Sequence, residues 1–232
     1  MGESQDAETP PFPDPTEVGE GGFAKSKGTR TRILEAALEL LAEEGYAATS
    51  VLAVARRAGL SRTAMLHHFP SRQALIEAVV QYVMRRRVEM QAELQAHLPH
   101  DASFRARSVD STWDQLQTKE FQAFCELSMA ARTDAELAAV FRPALAAFDK
   151  YRRDMAIRLA EPAVADSPVF GLRRDLNRFL LEGLAQQDGI TFNQEQRMAE
   201  LLAFLKLVWS DEGETFLERA VDETRRDAAR KP

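Results

Sequence analysis

The stretch from Thr49 to Ser71, TSVLAVARRAGLSRTAMLHHFPS, constrains the fold of this chain more than any other segment. Its first half carries apolar residues at helical spacing, namely Val51, Val54, Ala55 and Ala58. Gly59 ends this helix, because glycine accepts a left-handed C-cap. Ser61 can then cap a second short helix, Arg62 to Phe69, which Pro70 stops. A helix, a short glycine-containing turn and a second helix together form a helix-turn-helix.

The second helix presents a surface suited to the major groove of DNA. At about 100° per residue, one face carries a cation, a hydroxyl, an apolar tip and an imidazole, from Arg62, Thr63, Leu66 and His67. Ala64, Met65 and His68 lie roughly opposite, toward the first helix. The outward groups can contact base edges, thymine methyls or phosphates.

Short motifs follow one another in order around this stretch: Ile33-Leu34-x-Ala36-Ala37, Gly45-Tyr46, Thr49-Ser50-Val51, Ala58-Gly59-Leu60-Ser61 and His68-Phe69-Pro70-Ser71. At this spacing the segment from Arg32 to Leu75 resembles the N-terminal domain of the TetR/AcrR family of bacterial transcriptional regulators. Leu66 departs from the pattern, because the family usually has tyrosine there and a leucine cannot hydrogen-bond a phosphate. Ala53 is a second departure, since an acidic residue is often found near it.

The distribution of charge favours a DNA-binding N-terminal half. The 232-residue chain carries a net charge of −6. Between Thr29 and Arg87, however, nine arginines stand against five glutamates, so this segment carries +4 and the rest of the chain −10. Local positive charge, rather than the sum over the whole chain, attracts the phosphate backbone.

Bulk features argue against a membrane or secreted protein. No apolar run approaches the roughly 18 residues that indicate a membrane span, and the acidic N-terminus lacks the apolar core of a secretory signal. The single cysteine, Cys125, allows no internal disulfide, which fits a reducing cytosol. These features predict a cytoplasmic protein.

We divide the chain into three parts. Residues 1–28 are expected to form a disordered acidic tail, rich in proline and glycine, and a basic arm with Lys25 and Lys27. Residues 29–75 form the helix-turn-helix domain, whose first helix is predicted from Thr31 to Glu44. Residues 76–232 are expected to form a helical domain, for which the family resemblance implies ligand binding and dimerisation.

The C-terminal part is predicted to be helical throughout, so the fold class is all-α, because no segment alternates apolar and polar residues as a strand would. A capping box at Thr133 and Glu136 opens one long helix, which Pro143 should kink or split. The string from Leu127 to Leu137 also resembles the C-terminal domain of many TetR-like regulators. That resemblance implies an apolar ligand pocket and a homodimer formed by the last two long helices, so a charge at Leu205 should disrupt the dimer.

Two sets of site residues are predicted. For DNA, Arg62, Thr63 and His67 are expected to contact bases or the groove, Leu66 a thymine methyl, and Ser50, Ser61, His68 and Arg72 phosphates. For the ligand pocket, the lining is aromatic and methionine side chains: Trp113, Phe121, Phe124, Met129, Phe141, Phe148, Tyr151 and Met155. Ordinary core packing is the alternative interpretation of the second set.

These patterns predict a DNA-binding transcriptional regulator. The resemblance to the TetR/AcrR family further implies a homodimeric repressor that binds a palindromic double-stranded operator and is released by an unidentified small apolar ligand. An activator of the same family and a protein-binding module that lost DNA binding are the alternatives. An enzyme is disfavoured, since no zinc-ligand set, phosphate-binding glycine loop or nucleophile elbow is found. No catalytic residue, metal or cofactor is predicted.

Overall fold

The computed structural model describes residues 11–17, 24–97, 104–159, 165–187 and 193–229. Within these ranges the chain forms ten helices and no strand, which confirms the all-α fold class. The helices are α1 (Ala24–Glu44), α2 (Val51–Arg57), α3 (Arg62–His68), α4 (Arg72–His97), α5 (Phe104–Gln115), α6 (Lys119–Ala130), α7 (Ala135–Leu159), α8 (Phe170–Ala185), α9 (Gln194–Val208) and α10 (Asp211–Ala229). No helix of the described part is long and apolar enough to cross a membrane.

The chain forms two compact units. The first consists of Met1–Glu93 and Thr118–Asp154 and contains α1 to α3, most of α4, α6 and most of α7. The second consists of Leu94–Gln117 and Met155–Pro232 and contains α5, α8, α9 and α10. The helix-turn-helix therefore folds together with α6 and most of α7, while a functional boundary at residue 75 stays a prediction.

The first unit is built around α1. The expected apolar stripe is buried, at Ile33, Ala37, Leu40 and Leu41, and α1 packs against both α2 and α6. The inward positions of α4 are also confirmed, at Leu75, Ile76, Val79, Val80 and Val83. Each such side chain contributes about 1.5–3 kcal/mol when fully buried, so α1 connects the helix-turn-helix to α6 through apolar contact.

The prediction of a disordered tail and basic arm was wrong where the structure describes them. α1 begins at Ala24 rather than Thr31, so Lys25 and Lys27 lie on a helix. The side chain of Phe12 is only 3% exposed, and Thr16 is also buried. A single aromatic among prolines has no periodicity, so no sequence pattern marked it as buried. Residues 1–10 and 18–23 lie outside the described residues.

The helix α7 differs from expectation at its start and at its proline. Asp134 caps it, since Asp134 Oδ1 accepts the Leu137 N–H at 3.0 Å, whereas the expected cap was Thr133. The helix is not split, because Pro143 lies inside a continuous span from Ala135 to Leu159. Packing along both halves of a long helix can outweigh one lost backbone hydrogen bond.

The second unit combines an ion pair made by a buried arginine with an exposed apolar surface. Arg173 is buried on α8, and its Nη1 lies 2.9 Å from Glu214 Oε2 on α10. Leu205 on α9 is 0% exposed, so the proposed charge at Leu205 would disrupt the core of the unit, and the expectation that it tests the dimer was wrong. Exposed large apolar side chains of α8, α9 and α10 are Leu172, Phe179, Phe204, Leu207 and Phe216.

Candidate nucleic-acid interface

The turn between α2 and α3 has the local geometry that the sequence predicted. Ser50 caps α2 by accepting the Ala53 N–H on its Oγ at 3.2 Å. Gly59 has a φ of +67°, in the left-handed region where a side chain would be strained. Ser61 caps α3 by accepting the Ala64 N–H at 3.1 Å. These short-range interactions fix where α3 begins.

The rotation of α3 about its axis agrees with the face that the sequence predicted to point toward DNA. Met65 is 0% exposed and holds one side of the helix in the core. Arg62, Thr63 and His67 are exposed on the other side. Leu66 is half-buried, so its tip lies at the edge of the exposed face. The orientation is confirmed, and the individual DNA contacts stay predictions.

Arg72, an expected phosphate contact, is exposed but already has a protein partner. Its Nη2 donates to the Tyr46 hydroxyl at 3.1 Å, and that hydroxyl donates to Asp134 Oδ2 at 2.8 Å. Burial and the hydrogen bond to Asp134 raise the pKa of Tyr46, so its hydroxyl keeps its proton. Tyr46 therefore joins the start of α4 to the cap of α7.

Arg57 is engaged by acidic residues of α1. Its guanidinium lies 2.7 Å from Glu43 Oε2 and 2.7 Å from Glu44 Oε1. Lys119, at the start of α6, lies 2.8 Å from the other oxygen of Glu43. Hydrogen bonds from Lys119 and Arg57 lower the pKa of Glu43 to about 2. Part of the positive charge counted in this segment is thus neutralised locally, and exposed arginines such as Arg62 carry the remainder.

His68, another expected phosphate contact, is half-buried at the end of α3. Burial, together with the charges of His67 and Arg30, lowers the pKa of His68. Its imidazole is therefore neutral at neutral pH, and a phosphate contact from it would be a hydrogen bond rather than an ion pair. Its backbone carbonyl accepts a hydrogen bond from Arg30 Nη1 at 2.7 Å.

The predicted pocket residues fall into three groups. Most are buried in the first unit: Phe121, Phe124, Phe141, Phe148 and Tyr151. Trp113 and Met155 belong to the second unit, the first half-buried and the second buried. Met129 is 55% exposed, so in a single chain it faces solvent. The structure therefore brings the phenylalanines together and leaves Met129 apart from them.

Sequence reasoning missed Arg87, which lies among these phenylalanines. Its guanidinium carbon is 4.0 Å from the centre of the Phe124 ring and 4.6 Å from that of Phe148. The signal was present, because Val80, Val83 and Arg87 follow helical spacing on the inward side of α4. A buried cation over phenyl rings is stabilised by their quadrupoles, so this cluster combines apolar surface with one positive charge.

The sequence profile described as "Bacterial regulatory proteins, tetR family" matches residues 33–79, a range that runs from α1 through α2 and α3 into α4. An uncharacterized HTH-type transcriptional regulator of Mycobacterium bovis is 27% identical over 180 residues, which cover 76% of this chain and 92% of that relative. The chain belongs to the TetR family. It is accordingly a DNA-binding transcriptional regulator of the helix-turn-helix type, and these matches are to regulators rather than enzymes.

Solved structures share the fold of this TetR-family chain. One from Rhodococcus sp., assigned to the TetR-family transcriptional regulators, aligns with a TM-score of 0.55 and 21% identity over 79% of this chain and 100% of that one. Another, from Saccharomonospora viridis and assigned as a transcriptional regulator, is in complex with choline; its TM-score is 0.55 at 20% identity, over 80% and 95% of the two chains. At such identities the likeness establishes the fold.

Proposed function

We propose that this TetR-family chain is a cytoplasmic homodimeric repressor that binds a palindromic operator through α3 and is released by a small ligand. The observation that carries the proposal is the rotation of α3. Met65 anchors one side in the core, while Arg62, Thr63 and His67 project outward. A helix with a buried back and a polar front can enter the major groove and contact base edges.

Dimerisation is supported by the apolar surface of the second unit. Phe179 on α8 and both Phe204 and Leu207 on α9 are at least half exposed, and Leu172 on α8 is nearly so. Single exposed apolar residues are common, whereas several large ones on consecutive helices indicate an interface. Two copies joined there would supply two α3 helices, which a palindromic operator requires.

Ligand release requires α6 to influence the helix-turn-helix, and contacts within the first unit support this. Glu126 Oε2 on α6 accepts the Tyr46 N–H at 3.2 Å. Gly45 lies beside the same carboxylate, since a Cβ added there would come within 3.0 Å of that oxygen. A movement of α6 would therefore reach the turn before α2. A ligand that binds the moved state more tightly would shift the population toward it.

The ligand is proposed to be small and largely apolar. The ring of Phe124 lies 5.7 Å from that of Phe141 and 6.5 Å from that of Phe148, centre to centre. These rings belong to α6 and α7, so a molecule that separated them would displace α6 relative to α7. Such a displacement is the first step that release from the operator requires.

The experiment is recovery of DNA bound to the protein in cells, followed by affinity measurements on the recovered sequence and on random DNA. Arg62→Ala should weaken operator binding by about 1–3 kcal/mol, the cost of a lost base contact. Arg56→Ala is the matched control, because it removes an equal charge from an exposed position of α2. It should weaken binding to both DNAs similarly.

Two outcomes would change the proposal. Equal weakening on both DNAs by Arg62→Ala would make Arg62 a phosphate contact. Failure to recover any preferred sequence would favour the protein-binding module. Repression itself is tested by deleting the gene: transcription beside the recovered sites should rise, and a fall would make the protein an activator.

A further inference from the structure

The segment Pro11–Glu17 is packed within the first unit. The phenyl ring of Phe12 is buried, and Thr16 is buried with it. The Thr16 hydroxyl and amide both donate to Asp14 Oδ1, at 2.6 and 2.9 Å, which closes a tight turn. Asp14 Oδ2 accepts a hydrogen bond from Lys27 Nζ on α1 at 3.2 Å. A ring removed from water and a closed turn together hold the segment in one place.

Arg30 joins this segment to the C-terminal end of α3. Its Nε donates to the Pro15 carbonyl at 2.9 Å, and its Nη1 donates to the His68 carbonyl at 2.7 Å. The guanidinium carbon also lies 4.3 Å from the centre of the Phe69 ring. His68 is the last residue of α3, and its carbonyl is one of those that a helix leaves unpaired at its C-terminus. A cation there is favourable, because it complements the helix dipole.

The same segment is anchored to α4. Arg85 Nη1 donates to the Phe12 carbonyl at 3.3 Å, and Arg85 Nε donates to Glu89 Oε1 at 2.8 Å. The segment thus contacts the helix before α2 directly, the helix after α3 directly, and the end of α3 through Arg30. With only seven residues, α3 cannot hold its own orientation and depends on such contacts.

We propose that Pro11–Glu17 and Arg30 form one positioning device. It holds the C-terminal end of α3 in the orientation that points the exposed face of this helix toward DNA. The device raises the preference for operator over random DNA without contacting DNA. This effect on DNA preference rests on the proposed DNA-binding function. Base contacts need the helix placed within a fraction of an ångström, whereas contacts of long cationic side chains with phosphates tolerate small shifts. The planar guanidinium of Arg30 donates to two carbonyls from two different nitrogens, which the single nitrogen of a lysine does not reproduce.

The test uses two variants and two matched controls in the full chain. Phe12→Ala removes the buried anchor, and Arg30→Lys keeps the charge but loses the planar guanidinium. Ile157→Ala truncates an exposed apolar side chain outside this segment, and Arg32→Lys makes the arginine-to-lysine change at an exposed position of α1. The readouts are the ratio of operator to random-DNA affinity and the hydrogen exchange of the Phe69 amide, which donates to the Met65 carbonyl at 3.0 Å.

Both test variants should lower the affinity ratio by about fivefold or more and speed exchange at Phe69. Arg30→Lys loses hydrogen bonds from a charged donor, and Phe12→Ala loosens the segment whose Pro15 carbonyl holds Arg30. Both controls should leave these quantities unchanged. Unchanged exchange in Phe12→Ala overturns the proposal, and so does faster exchange with an unchanged affinity ratio. If Phe12→Ala does not fold, Arg30→Lys alone is judged by the same criteria.

The two proposals fail in different ways. If the unaltered protein selects no DNA sequence, the proposed function fails and takes with it the effect on DNA preference. The exchange comparison still decides whether the segment holds α3. If the unaltered protein selects an operator and Phe12→Ala behaves like Ile157→Ala, only the positioning device is refuted.

Discussion

Replacing Tyr46 with phenylalanine should destabilise the first unit by removing one atom. The hydroxyl donates to Asp134 Oδ2 at 2.8 Å and accepts from Arg72 Nη2 at 3.1 Å. Phenylalanine keeps the ring and its stacking near the Arg72 guanidinium, whose carbon lies 5.6 Å from the ring centre. The change therefore isolates the two hydrogen bonds that join the turn before α2 to α4 and α7.

The expected loss is about 1 kcal/mol. A hydrogen bond to a charged group contributes about 1.5–3 kcal/mol when it is sheltered from water. Arg72 is exposed, and Tyr46 and Asp134 are half-buried, so water replaces part of what is lost and screens the charges. In a chain of this size, 1 kcal/mol corresponds to a fall in Tm of about 2–4 °C.

The assay is urea unfolding of Tyr46→Phe, Asp134→Asn and the double variant. Asparagine can still accept the Leu137 N–H that caps α7, so the cycle reports the side-chain bond. Tyr82→Phe is the control, because the Tyr82 hydroxyl makes no hydrogen bond with the part of the chain that the structure describes. We expect a coupling of about 0.5–1 kcal/mol. Additive effects of the two substitutions would refute the reasoning.

Glu43→Gln should destabilise the protein near neutral pH. The Tm difference between the variant and the unaltered protein should shrink as the pH falls from 4.5 toward 2. Pairing lowers the pKa of Glu43 to about 2, so the stability that this carboxylate contributes is present above pH 4.5 and is lost on acidification. Phe204→Glu should give a folded monomer by sedimentation, because Phe204 is 50% exposed, whereas Leu205→Glu should unfold the second unit; a dimeric Phe204→Glu would place the interface elsewhere. Leu66→Tyr should strengthen binding to random DNA and lower the operator preference, because a phosphate hydrogen bond worth about 0.5–1.5 kcal/mol becomes available on any sequence. A Tm lowered by several degrees with unchanged random-DNA affinity would instead identify Leu66 as a packing residue.

The local features of the helix-turn-helix could be predicted because they depend on residues close together in the chain. The caps at Ser50 and Ser61 act over three residues, and the turn at Gly59 depends on one φ angle. The burial of Met65 follows from helical spacing alone. The predicted start of α1, Thr31, was seven residues too late. Lys25 to Arg30 show no apolar periodicity, and the N-terminal segment supports the helix there.

The sequence alone therefore determined the helical class and the orientation of α3, since periodicity and capping act within a turn or two of helix. Its ordered motifs also carried the resemblance to the family. Only the tertiary structure decided which side chains hold that helix in place. Arg30 reaches the His68 carbonyl across 38 positions of the chain, and Tyr46 reaches Asp134 across 88. Such pairs form because helices pack at particular distances and angles, and no spacing within one segment encodes the partner in another.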